Sequence, residues 1–266
     1  MISKPLMKAA IKQNYIVFII IFGVLMLYLP IIISMYNPKT QESLDEILTM
    51  LPQQLISAMG FTGDMGSLLT FIATYFYGFL ILLLPMIYTI TVANRSIASH
   101  VDRGSMAYLL STPNTRRRIA GTQGCFLLIS TTLLLSFITL AGILICELLF
   151  PGDLDIKGFL LLNLGALLLY FALTGISFFA SCAFNDAKNS LALGAGLPVA
   201  FLLLQMISDI GEKFNFLKYF SLYTLFNQSS ITSGGNYLPS FLLLAIIGIV
   251  LYGAGIAFFH RRDLPL

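Results

Sequence analysis

The sequence predicts an all-α integral membrane protein with six transmembrane helices, and three observations predict it. Six stretches are apolar for long enough to cross a bilayer core, which takes roughly 20 residues as a helix. They cover residues 15–35, 68–93, 119–149, 158–184, 190–210 and 237–259. Hydrophobic residues make up 58% of the chain and charged residues only 10%, with a mean hydropathy of +0.89, far from soluble usage. No charge lies near the middle of any stretch. Helices follow because lipid offers the backbone no hydrogen-bonding partner. The connections are too short for a separate soluble core, so residues 1–266 are read as a single transmembrane domain.

Lys4, Lys8 and Lys12 precede the first stretch, as in a signal peptide. The run is too long for a signal h-region and no small-x-small cleavage site follows, so it reads as a retained span. A helix beginning near Ser3 would place these lysines along the inner membrane surface. Orientation follows from Lys and Arg near the span ends. With both termini cytoplasmic, eleven of the fifteen basic residues fall inside, and four (Lys39, Lys157, Lys213, Lys218) fall outside. Nine of the twelve acidic residues fall outside. A bacterial plasma membrane is the expected location.

Two outer connections are long enough for structure of their own. In 36–67, Leu44, Ile47, Leu48, Leu51, Leu55 and Met59 recur at helical spacing, which suggests a short amphipathic helix on the outer face, broken near Pro52. The stretch 211–236 carries Phe214, Phe216, Tyr219, Phe220, Tyr223 and Phe226. It reads as an interfacial or re-entrant helix with an aromatic belt, turning into the last span at Ser233, Gly234 and Gly235.

The span interiors exclude several function classes. Ion-coupled carriers usually hold an acid near midplane; here Glu147 and Asp209 lie near outer ends, Asp186 and Lys188 near inner ends. No serine elbow, H-E-x-x-H pair or Walker A loop is present, so no hydrolytic or nucleotide site of the chain's own is expected. Cys125, Cys146 and Cys182 fit neither a disulfide framework nor a zinc site. A net charge of +3 implies no nucleic-acid partner. Asn163, Gln205, Thr74 and the Ser130-Thr131-Thr132 run read as hydrogen-bonding groups between helices.

The most distinctive inner segment runs from Asn94 to Arg118, NRSIASHVDRGSMAYLLSTPNTRRR. Ile97, Val101 and Tyr108 recur on one helical face beside His100, Asp102 and Arg103, and Leu109 and Leu110 extend the apolar side. Thr112-Pro113 ends that helix. Asn114 or Thr115 can cap the next one, whose first turn holds Arg116, Arg117 and Arg118 against the helix dipole. Anchoring to anionic lipid accounts for the arginines but not for the amphipathic helix before them.

The run D-R-G-S-M-A-Y-L-L-S-T-P-N-T-R-R-R resembles the signature of ABC-2 type permease subunits. The six spans, cytoplasmic ends, the first-loop run LPQQLISAMG and the later SLYTLFN fit the same family, so the resemblance covers essentially the whole chain. Family members carry two or three consecutive glutamates before the Gly; this chain has His100, Val101 and Asp102 before Gly104, leaving Asp102 as the acid. The resemblance implies the membrane subunit of an ATP-driven exporter, formed as a pair of permease subunits. The inner helix would dock on separate ABC ATPase subunits that bind the ATP and Mg. An apolar stripe of Ile97, Val101, Tyr108, Leu109 and Leu110 would be gripped there, with Asp102, Arg103, Arg116 and Arg117 around the Gly104 turn fixing register. The chain itself would bind no cofactor or metal. Cargo would be hydrophobic or amphipathic, such as a peptide toxin, antimicrobial, drug or lipid, as in permeases of peptide export or immunity. An ion-gradient-driven secondary transporter or channel remains the alternative.

Overall fold

The computed structural model describes residues 2–36, 67–112, 114–210 and 212–263, and among them no strand occurs. The amphipathic helix expected within 36–67 lies outside the described residues. Six helices are long and apolar enough to cross a membrane. They are α1 (Lys4–Met35), α2 (Leu68–Ser96), α5 (Arg116–Leu149), α6 (Ile156–Ala183), α7 (Ala187–Asp209) and α9 (Leu238–Arg261). Two short helices, α3 (Ala98–Asp102) and α4 (Ser105–Leu110), join α2 to α5. Between α7 and α9 run two 3₁₀ segments, Glu212–Phe220 and Leu222–Leu225, and then α8 (Gln228–Thr232).

Each boundary has a local cause. Ser67 and Thr70 form a reciprocal capping box at the start of α2. Thr115, Asp155 and Asp186 cap α5, α6 and α7, each accepting a main-chain N–H with its side chain. His260 and Arg261 occupy the last turn of α9, where the dipole favours cations. The helix around the three N-terminal lysines is continuous with the first span: α1 runs uninterrupted from Lys4, with Ser3 at its N-cap.

Helix α6 is the centre of the bundle and packs against α9, α7, α2 and α5. In lipid the hydrophobic effect does not hold helices together, so close approach of small residues and interhelical hydrogen bonds matter more. Gly248 of α9 gives way to the Phe171 ring of α6, and Gly194 of α7 admits the Ser177 backbone of α6. Phe178 and Phe171 of α6 stack on Tyr252 of α9 at 4.9 and 5.6 Å. Tyr77 of α2, fully buried, donates its hydroxyl to Asn163 Oδ1 at 2.6 Å.

Two span prolines shape these contacts. Proline removes an N–H and frees the carbonyl four residues earlier. Pro85 frees Ile81, and the Tyr170 hydroxyl lies 2.6 Å from that oxygen and 2.7 Å from Leu82 O, with one proton shared between them. Pro198 frees Gly194, whose oxygen accepts the Ser177 hydroxyl at 2.6 Å. Just before Pro85, residues Ala73–Leu80 of α2 wind as a π-helix. Its Tyr77 carbonyl also accepts from Gln228 Nε2 of α8 at 2.8 Å.

Candidate functional site

The connections fall at two ends of the bundle. One end holds the start of α1, the α2–α5 connection, the α6–α7 turn and the end of α9. Its cross-links are polar and centre on arginine. Arg262 donates to Cys182 O at 2.5 Å and to Asn185 Oδ1, while Arg116 Nη1 donates to Arg262 O at 2.5 Å. Ser3 N donates to Thr122 Oγ1 at 3.0 Å, joining α1 to α5. This basic end therefore gathers most of the cationic residues into one braced surface.

On that surface the segment 97–110 forms a hinged pair of helices rather than one. Gly104 stands at φ +69°, a left-handed conformation that glycine adopts without penalty, and it ends α3 and starts α4. The chain bends first at Ile97, where the first amides of α3 have no partner within the helix. Ser181 of α6 supplies one: its Oγ accepts from Ala98 N at 3.0 Å and Ile97 N at 3.3 Å. His100 Nδ1 lies 3.0 Å from Ser105 Oγ, bridging α3 to α4 across the glycine. Desolvation, helped by the nearby Arg103 charge, holds the His100 pKa below its ordinary value.

The residues expected to form one docking stripe part company here. Ile97 and Val101 turn into the bundle and are buried within this chain. Leu109 and Leu110 are half-buried against the core. Tyr108 projects outward with 78% of its surface exposed, and Asp102, Arg103, Gly104 and Arg117 are exposed with it. Arg116 is half-buried and spent on the Arg262 carbonyl. Of the two expected caps, Thr115 takes the role, accepting from Arg118 N at 3.3 Å; Pro113 lies outside the described residues. Met106, fully buried, roots α4. The sequence signalled Met106 only as an apolar residue inside the motif, and it gave no signal for Ser181 or Arg262, whose roles depend on chain distances of about 80 residues.

The opposite end holds a cavity of about 600 Å³ between α2, α7, α8 and the 3₁₀ segments. Its lining surface is about half polar and half apolar, the polar side chains including Gln205, Asp209, Lys218, Thr224 and Gln228. Asp209 and Lys218 form an ion pair at 3.6 Å, and Gln205 Nε2 donates to both Asp209 oxygens at 3.0 and 3.2 Å. Of the six aromatics of this stretch, Tyr223 and Phe226 are buried, while Phe214, Phe216, Tyr219 and Phe220 are exposed. Gln205 is thus part of a polar cluster at the span end, and of the other expected polar groups Asn163 joins two helices while Ser130 and Thr131 bond back to Leu127 O of their own helix. Among the described residues no group of His, Cys, Asp and Glu is placed to hold a metal ion. All three cysteines are free thiols.

Comparison with known proteins agrees with the motif and the six helices. No curated protein and no solved structure matches the chain. A family model described as ABC-2 family transporter protein matches residues 2–264, nearly the whole length. With six candidate spans and a full-length match, the chain belongs to the ABC-2 transporter family, as the multi-pass membrane subunit of an ABC transporter, a subunit class that associates with ABC ATPases.

Proposed function

We propose that this chain forms the translocation pathway of an ATP-driven exporter, paired with a second permease subunit, with a separate ATPase docked on its basic end. Both termini and the segment 97–110 are then cytoplasmic, in keeping with eleven basic residues on that side. The observation that carries the reading is the hinged α3–α4 pair: an exposed Tyr108 on a support rooted by Met106 and Ser181. A projecting aromatic on a connection that also exposes Asp102, Arg103 and Arg117 has the composition of an interface anchor. ATP-driven closure of two ATPases would bring the paired hinges together and turn the pathway outward. ATP and Mg belong to that partner; this chain would bind no cofactor of its own.

Every acidic residue among the described ones lies at a helix end or in a connection, which speaks against drive by an ion gradient. Broad apolar faces together with a cavity of mixed polar and apolar lining favour amphipathic cargo, of which peptides, antimicrobials, drugs and lipids are the candidate classes.

Co-purification tests the reading. A candidate ATPase subunit should come down with the chain, and its activity should lose coupling to transport when Tyr108 and Leu109 are both changed to Asp. Transport that persists with no ATPase present would defeat it.

A further inference from the structure

We infer that the cavity at the end opposite the arginines is a binding site for the headgroup of a zwitterionic phosphoglyceride, a phosphate bearing a primary ammonium. The volume, about 600 Å³, lies within the roughly 300–1,000 Å³ range of small-ligand pockets. It leaves room for a headgroup and its glycerol, but not for two acyl chains as well.

The lining changes character with depth. On α2 the order from the helix start is Ser67, Thr70 and Thr74, followed by Phe79 and Leu82. On α7, counted inward from its end, Asp209, Met206 and Gln205 precede Leu202. The polar side chains of both walls therefore lie nearer the rim than Phe79, Leu82 and Leu202. A lipid in its leaflet has the same order, headgroup outermost and chains inward. A separate indication of level is Tyr219, almost fully exposed on the 3₁₀ stretch next to Lys218, because tyrosine is enriched at the membrane–water interface.

Charge selects the headgroup. Lys218 offers an ammonium to a phosphate and Asp209 a carboxylate to an amine. At 3.6 Å they are farther apart than a direct charge-assisted hydrogen bond of about 2.7–2.9 Å. Their side chains stay 39% and 27% exposed, so each has a free side. Gln205, held between Asp209 and the Thr224 hydroxyl, fixes the carboxylate. An anionic headgroup would satisfy Lys218 but bring a like charge to Asp209; a zwitterion satisfies both. The site also has a line to the bundle, because Gln228 both lines the cavity and donates to the π-helical Tyr77 carbonyl. The inference concerns binding alone and stands whether or not the chain exports anything, so failure of the ATPase test leaves it untouched.

The test is native mass spectrometry of the full chain from maltoside micelles, with phosphatidylethanolamine, phosphatidylglycerol, diacylglycerol and soluble glycerophosphoethanolamine as probes. One saturable phosphatidylethanolamine is expected, bound about tenfold more tightly than the other two lipids, a ratio in keeping with hydrogen bonds to charged groups. The preference should vanish in the Asp209→Asn, Lys218→Gln double variant and persist in the swap Asp209→Lys, Lys218→Asp, which keeps both charges. The chain has no tryptophan, so Phe79→Trp places a single reporter in the lining, and its emission should shift when the lipid binds. Equal affinity for phosphatidylglycerol, a preference that survives in the neutral double variant, or a reporter whose emission stays unchanged overturns the site. Tight binding of glycerophosphoethanolamine alone overturns the lipid source in favour of a free zwitterion.

Discussion

Ser177 donates its hydroxyl at 2.6 Å to the Gly194 carbonyl, the oxygen that Pro198 leaves without an intrahelical partner. A proline inside a span is costly in lipid because no water can take up the freed carbonyl. Here the repair comes from a neighbouring helix, so the same bond mends α7 and fastens it to α6. Tyr170 does the same for Pro85 in α2, seven residues earlier on α6. One face of the central helix thus repairs two neighbours.

That relationship predicts coupling between Ser177 and Pro198. Ser177→Ala should cost about 0.6–1.7 kcal/mol, the span of interhelical hydrogen bonds in membranes. In a Pro198→Ala background the main-chain N–H returns and the same change should cost close to nothing. Reversible unfolding in mixed SDS micelles reads both values, and equal costs in the two backgrounds would show that the repair account is wrong.

Gly248 makes a second prediction. An added Cβ would meet Phe171 ring atoms at 2.5, 2.6 and 2.8 Å, and that ring is stacked on Tyr252, which limits its freedom to swing away. Gly248→Ala should therefore destabilise the α6–α9 pair by about 1–3 kcal/mol, the usual cost of overpacking. Gly253, on the same helix with nothing within 4 Å, is the control, and its alanine variant should show no loss.

His100 makes the hinge sensitive to acid. Partial burial and the Arg103 charge hold its folded pKa below the unfolded value, near 6.5. The unfolded chain then binds more protons in the interval between the two values, so folded stability is complete above about 6.5 and declines as the pH falls toward the folded pKa. Hydrogen exchange of 97–110 should accelerate between pH 7.5 and 5.5, after correction for intrinsic rates. His100→Gln should flatten that change.

Arg262 should act as a local clamp. Its guanidinium holds Cys182 O and Asn185, while the bond from Arg116 goes to its main-chain carbonyl and survives truncation of the side chain. Arg262→Ala should cost about 1 kcal/mol, discounted for partial exposure. Exchange should rise at 182–186 and 258–262 while the α1–α5 junction stays as it was. Loosening across the whole basic end would contradict the clamp.

The spans were legible in the sequence because hydropathy acts locally: all six appear with ends within a few residues of expectation, and the helix expected from near Ser3 runs straight into the first of them. Thr115 was legible as a cap for the same reason. Sequence periodicity put Ile97 and Val101 on one face with Tyr108, but that holds only if the helix is continuous, and Gly104 in a left-handed turn rotates the second half away from the first. The π-helical turn of α2 and the cavity were not legible. The cavity exists only because residues 67–82 face 202–233, segments far apart in the chain, and the Tyr77 carbonyl meets Gln228 across the same distance. Arg116 looked like a surface charge because its acceptor, Arg262 O, lies at the other end of the sequence.

The bond from Ser181 to the first amides of α3 ties the exposed connection directly to the central helix. Torque applied at Tyr108 reaches α6 within two short helices, and α6 touches four of the other five spans. A tug there is shared by most of the molecule at once, as by a keel rather than by a hinge pin. Residues 73–80, the stretch of α2 wound as a π-helix, also line the far cavity with Ala73, Thr74, Gly78 and Phe79, so part of that wall is built from backbone out of α register.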